Sequence, residues 1–151
     1  MIIADCPMEY IIETSFYTDH IDGAGYYDYD LGENVDYNEK NNIIAVGLRC
    51  NDFTLGFTSF KNSYYQDSYM LSLEYNVYSV NEIYFDLGVG VIDGYDKRYV
   101  YDKLFINDNI MIAPMASISY KPEMLKFDMV DISPKVRFLG TAILLNLEFS
   151  F

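Results

Sequence analysis

Apolar and polar residues alternate with period two along eight separate runs of this chain, and nothing else in the sequence constrains its fold as tightly. The runs are Met8 to His20, Ile43 to Cys50, Phe53 to Asn62, Tyr69 to Tyr78, Glu82 to Ile92, Ile110 to Tyr120, Met124 to Ile132 and Gly140 to Phe151. In the fourth, Tyr69, Leu71, Leu73, Tyr75 and Val77 share one face, and Met70, Ser72, Glu74 and Asn76 the other. In the last, Ile143, Leu145, Leu147, Phe149 and Phe151 oppose Ala142, Leu144, Asn146, Glu148 and Ser150. Side chains of a strand alternate between the two faces of its sheet, so each run offers one greasy face.

The connections alternate as well. "ND", "SVN" and "KPE" read as tight turns, whereas 21–42, 63–68, 93–109 and 133–139 read as longer loops. An even strand count, with short turns at one rim and longer loops at the other, describes an all-β, eight-stranded antiparallel up-and-down β-barrel of outer-membrane type. One such domain accounts for residues 1–151. A soluble up-and-down barrel shares the strand order but turns its apolar residues inward. Here the charges lie opposite the greasy face, so a membrane barrel puts Glu13, Arg49, Glu74, Asp86, Lys126, Asp128 and Glu148 inside.

Composition agrees. Sixteen Tyr and ten Phe in a chain that is 51% hydrophobic favour strands. No apolar run approaches the ~18 residues of a spanning helix, so a membrane role falls to strands. A formal charge of -13 with ten scattered Lys and Arg excludes nucleic acid as a partner. Cys6 and Cys50 match no metal spacing and read as separate thiols. The opening "MIIADCPMEY" has neither the positive nor the apolar region of a signal peptide. Either such a signal has been removed, or export does not use that route.

The inward charges cluster toward the short-turn end, where opposite signs can neutralise one another. Toward the long loops the inward positions are small or apolar, among them Met70, Ser72, Gly88, Gly90, Met111 and Ala113. Two readings stand: a pocket suited to a hydrocarbon chain, or a space filled by large neighbours with glycines permitting curvature. The first, third and fifth strands end at the long-loop rim, which brings His20, Ser63, Asp93, Asp96 and Arg98 to one place. A serine hydroxyl becomes a nucleophile only with a base, and His20 is the one histidine of the chain. Pro114 and Pro134 each remove a ladder donor from adjacent strands, which reads either as a bulge and an ordinary loop proline or as a lateral gap at that rim.

The segments "YNEK" at Tyr37, "FKNSYY" at Phe60, "DLGVGVIDG" at Asp86, "IAPMASISY" at Ile112, "DISP" at Asp131 and the closing "LEFSF" together resemble the outer-membrane lipid A palmitoyltransferases (PagP) in order and spacing. That resemblance implies a monomeric outer-membrane barrel that moves an acyl chain from phospholipid to lipid A, without cofactor or metal. It implies that His20 and Ser63 are catalytic, with Asn62 beside them. Met70, Ser72, Glu74, Gly88, Gly90, Met111 and Ala113 then line the acyl pocket, and Pro114 and Pro134 flank its lateral lipid access.

Three departures bear on the chemistry. Asn62 stands where the family has aspartate, and an amide cannot stabilise an imidazolium as a carboxylate does. Glu74 stands where the family keeps a glycine at the pocket floor, which shortens or closes the pocket. The helix that precedes the family's first strand has no counterpart. A phospholipid-to-lipid A acyltransferase with a shortened pocket is therefore the leading expectation. A catalytically inactive barrel that binds lipid, or has a structural or interaction role, is its alternative.

Overall fold

Strand pairing closes on itself in the computed structural model, which describes residues 6–21, 23, 25–100 and 102–151. The opening residues read for an export signal fall mostly outside that range. The strands are β1 (Met8–His20), β2 (Gly25–Asp28), β3 (Glu33–Asp36), β4 (Ile44–Cys50), β5 (Phe53–Lys61), β6 (Asp67–Val80), β7 (Ile83–Asp93), β8 (Ile110–Tyr120), β9 (Lys126–Phe127), β10 (Val130–Leu139) and β11 (Ala142–Ser150). Barrel neighbours run β1-β4-β5-β6-β7-β8-β10-β11, every pair antiparallel, and β11 returns to β1 from Ile11↔Ser150 to His20↔Ala142. This is the expected closed, eight-stranded, up-and-down barrel. Closure leaves the wall with no full-length free edge to template aggregation.

The greasy face points out. Along β6, Tyr69, Leu71, Leu73, Tyr75 and Val77 are exposed while Met70, Ser72 and Glu74 are buried. The same alternation governs β5, β8 and β11. At ~3.3 Å per residue and ~40° of tilt, the outward row from Tyr69 to Val80 covers about 28 Å of height, matching the ~25 Å apolar band of a membrane barrel. At the short-turn rim, Asn81 and Glu82 both have positive φ, the geometry a two-residue hairpin turn demands.

The seventh barrel strand is displaced from its expected position. It occupies Val130–Leu139, not Met124 to Ile132; residues 121–129 instead form a 3-10 turn at Glu123–Leu125 and the short β9. The span 133–139 is strand, and the last outer connection is a tight turn at Gly140 and Thr141. Gly140 takes φ +59°, which glycine adopts without a Cβ penalty. Lys126 and Asp128 are consequently exposed rather than internal, and Lys135 and Arg137 take the inward places.

Those two cations organise the lower core. Arg137 Nη1 lies 2.9 Å from Glu13 Oε1, and Nη2 lies 2.7 Å from Glu74 Oε1. Lys135 Nζ lies 3.2 Å from Glu148 and 3.5 Å from both Glu13 and Glu74. Arg49 reaches Glu148 at 2.6 Å and Glu9 at 3.1 Å. Asn146 donates to Glu13, and Ser117 donates to Glu74 and Asp86. Buried charge persists only where each member is paired and hydrogen-bonded, and this network crosses the lumen between β1, β4, β6, β10 and β11. The barrel is therefore plugged at mid-height.

Cys6 and Cys50 form a disulfide, contrary to the reading as separate thiols. The Met8↔Cys50 register explains it, because it carries the residues just before β1 alongside the end of β4.

Candidate functional site

The long-loop rim holds a cavity of about 240 Å3. Its upper wall is Tyr37, Tyr64, Tyr95 and Tyr99, with His20, Ser63 and Thr141; its lower wall is aliphatic, from Ile92, Met111, Ala113, Leu139 and Ala142. His20 arrives at the last pair of β1, opposite Ala142, and its ring stacks on Tyr37 at 4.3 Å. Ser63 follows β5, as expected, and is buried, with its hydroxyl hydrogen-bonded to that of Tyr95. The structure thus brings His20 and Ser63 onto one wall.

Asn62 is placed elsewhere. It is wholly buried beneath the loop, where Nδ2 donates to the Gly94 carbonyl and to Ser68 Oγ, each at 3.0 Å. Its Oδ1 accepts from the backbone N–H of Tyr64 at 2.9 Å and of Gln66 at 3.0 Å. A side chain so engaged holds two loops together. Gly94 belongs to the same joint, since a Cβ there would come within 2.3 Å of the Asp67 carbonyl.

Of the residues assigned to an acyl pocket, Met111 and Ala113 line the rim cavity. Met70 lines a second cavity of about 30 Å3 beneath it, room for a water or two and not for a chain. Gly90 lies under Met70, whose Sδ comes within 2.5 Å of where a Cβ would stand, and Gly88 lies under Glu74 in the same way. Ser72 is buried on β6 beside Gly56, and Glu74 belongs to the ion network.

The prolines do not share a rim. The β8–β10 ladder runs only from Lys135↔Ser119 to Leu139↔Met115; Pro114 lies just beyond its upper end and Pro134 just beyond its lower. Their expected joint gap is not formed, because Pro134 lies within β10, opposite Leu147, and does not end it. Above Pro114, β8 has no β10 partner. Phe105 covers that edge by a bridge to Met111, and Ile106 donates to the Ile110 carbonyl.

A feature not anticipated is the lid. The β2–β3 hairpin folds over the mouth, with Tyr26 against Tyr37, Tyr64 and Tyr99 at 5.7, 4.8 and 5.1 Å. Tyr64 stacks on Tyr99 at 5.0 Å and donates its hydroxyl to the Tyr99 carbonyl. Arg98 clamps the hairpin through two nitrogens to Asp30, at 3.0 and 3.2 Å, and also holds Asp96. Burial pushes the phenols of Tyr26, Tyr95 and Tyr99 upward. The Arg98 hydrogen bond holds the Asp96 carboxyl below its usual range. The sequence did carry a signal for this lid: loop tyrosines at 26, 27, 29, 37, 64, 65, 95 and 99 all belong to connections at one rim. Among the described residues no group of His, Cys, Asp and Glu is arranged to hold a metal.

No family model matches the chain, and no curated protein matches it. Among solved structures it is similar to the outer membrane protein AlkL in DMPC lipid bilayers, with 14% identity, TM-score 0.42, and coverage of 94% of this chain and 86% of that one. It is also similar to Neisserial surface protein A, with 14% identity, TM-score 0.35, and coverage of 95% and 91%. The barrel assignment rests on the chain's own pairing.

Proposed function

We propose that this protein is a monomeric outer-membrane barrel that binds a small ligand in its tyrosine-walled rim cavity and does not conduct through its interior. The observation that carries the reading is the pairing of a cavity at the outer rim with a lumen closed beneath it by Arg137, Lys135, Glu13, Glu74 and Glu148. The outward apolar face supports residence in a bilayer. The Cys6–Cys50 disulfide supports an oxidising compartment, as outside the inner membrane. Closure of the wall leaves no full-length strand edge for a second copy. The test is native mass spectrometry of the barrel released from outer membranes. A small-molecule adduct is expected on the wild type and lost in Ala113→Leu, which fills the cavity; bare protein in both cases removes the reading.

One observation favours a second reading, transfer of an acyl chain from phospholipid to lipid A: His20 and Ser63 line the same cavity. Against it, Asn62 is committed to Gly94 and Ser68, and the space below the cavity is filled. Labelled phospholipid and lipid A, given to protein in detergent, test this reading. Transfer that falls with Ser63→Ala or His20→Ala supports it, and background turnover removes it.

A further inference from the structure

The binding reading leaves open what the cavity takes, and its walls narrow the choice. They fall into two zones: hydroxyls and phenols at the mouth, from Ser63, Tyr64, Tyr99 and Thr141, and aliphatic side chains at the base, from Met111 and Leu139. Among the described lining residues there is no carboxylate, lysine or arginine. A charged ligand would therefore lose its hydration without gaining a counter-charge, and burial on those terms is costly.

The surroundings discriminate further by sign. Among the described residues of 19–42, 61–68 and 93–109, eleven are carboxylates and five are lysine or arginine. Three of those five cations already sit on carboxylates: Lys61 on Asp67, Lys97 on Asp108, and Arg98 on Asp30 and Asp96. The approach to the mouth thus carries a negative field, which repels anions before contact. Size sets the last limit, because about 240 Å3 lies below the ~300–1,000 Å3 of pockets for drug-sized ligands.

We infer that the rim cavity takes a small uncharged amphiphile with a terminal hydroxyl, of the medium-chain alcohol class, and rejects the carboxylate of equal length. The hydroxyl sits among the phenols and the Ser63 and Thr141 hydroxyls, and the chain lies on Met111 and Leu139. This rests on the binding reading above, and goes beyond it in naming the ligand's chemistry.

The experiment uses the whole barrel in nanodiscs of neutral lipid at pH 8, titrated with 1-octanol, octanoate and octylamine. Tyrosine fluorescence is followed, and empty discs are subtracted. Octanol is expected to bind at least about tenfold more tightly than octanoate. The gap should narrow as salt screens the rim. Ala113→Leu and, independently, Ala142→Leu should abolish octanol binding while circular dichroism and heat-modifiable gel migration show an intact barrel. Octanoate binding as tightly as octanol overturns the inference. So does octylamine binding that the filled variants lose, in the absence of any octanol binding, although the binding reading then survives. Octanol binding unchanged in both filled variants overturns the inference and that reading together.

Discussion

Asn62 spends its whole hydrogen-bonding capacity inside the loop, two bonds donated to Gly94 and Ser68 and two accepted from Tyr64 and Gln66. Asn62→Asp keeps the acceptor side but sets a carboxylate oxygen against the Gly94 carbonyl in a buried site. A buried group left unsatisfied costs about 1–3 kcal/mol, so thermal melting should show a loss of that order. The rim cavity should loosen with it, because the same loop carries Ser63 and Tyr64. From the sequence, position 62 could be identified only as a place where the family resemblance breaks. The reason for the amide lies in Gly94, thirty-two residues away and visible only once β5, β6 and β7 are folded. Glu74 reads similarly: its inward direction was legible from period two, its partners were not. Glu74→Gln leaves Arg137 and Lys135 short of one buried counter-charge. Such breakage costs about 3–5 kcal/mol, measurable by urea unfolding in lipid vesicles.

At the scale of elements, the hairpin β2–β3 is held to the rim by ring contacts and by Arg98. The Arg98–Asp30 pair is exposed, so solvent screening leaves it only a small contribution. Arg98→Ala should therefore speed amide exchange in 25–36 by no more than about fivefold. The pH dependence has a definite sign. The folded Asp96 carboxyl titrates below its unfolded value, held down first by its hydrogen bond from Arg98. Its contribution is thus fully present above ~3.9, the unfolded value, and lost as pH falls through the folded one. Hairpin exchange, corrected for intrinsic rates, should stay constant from pH 8 to about 5 and rise only below ~3.9.

Seven of the eight barrel strands were legible to within two residues of each end, because their greasy faces alternate cleanly. The seventh was not, since "MLKFDMVDI" also alternates. The charge balance held the warning. The expected interior set had two cations, Arg49 and Lys126, against five carboxylates, a poor mixture for a low-dielectric lumen. Replacing Lys126 and Asp128 by Lys135 and Arg137 corrects that imbalance, and the structure makes this replacement.

For the molecule as a whole, the account rests on which way the wall faces. If oily side chains clothe the exterior and Glu13, Glu74, Glu148, Lys135 and Arg137 fill the interior, then the lumen is shut and chemistry or binding is confined to the rim. Site-directed spin labels placed singly at each position from Tyr69 to Tyr75 in bilayers read this directly, through collision with oxygen and with a water-soluble nickel complex. High oxygen collision with little nickel at Leu71 and Leu73, alternating with low collision by both probes at Met70, Ser72 and Glu74, is the predicted pattern. Nickel reaching Leu71 and Leu73, or oxygen favouring Met70 and Ser72, would contradict the account.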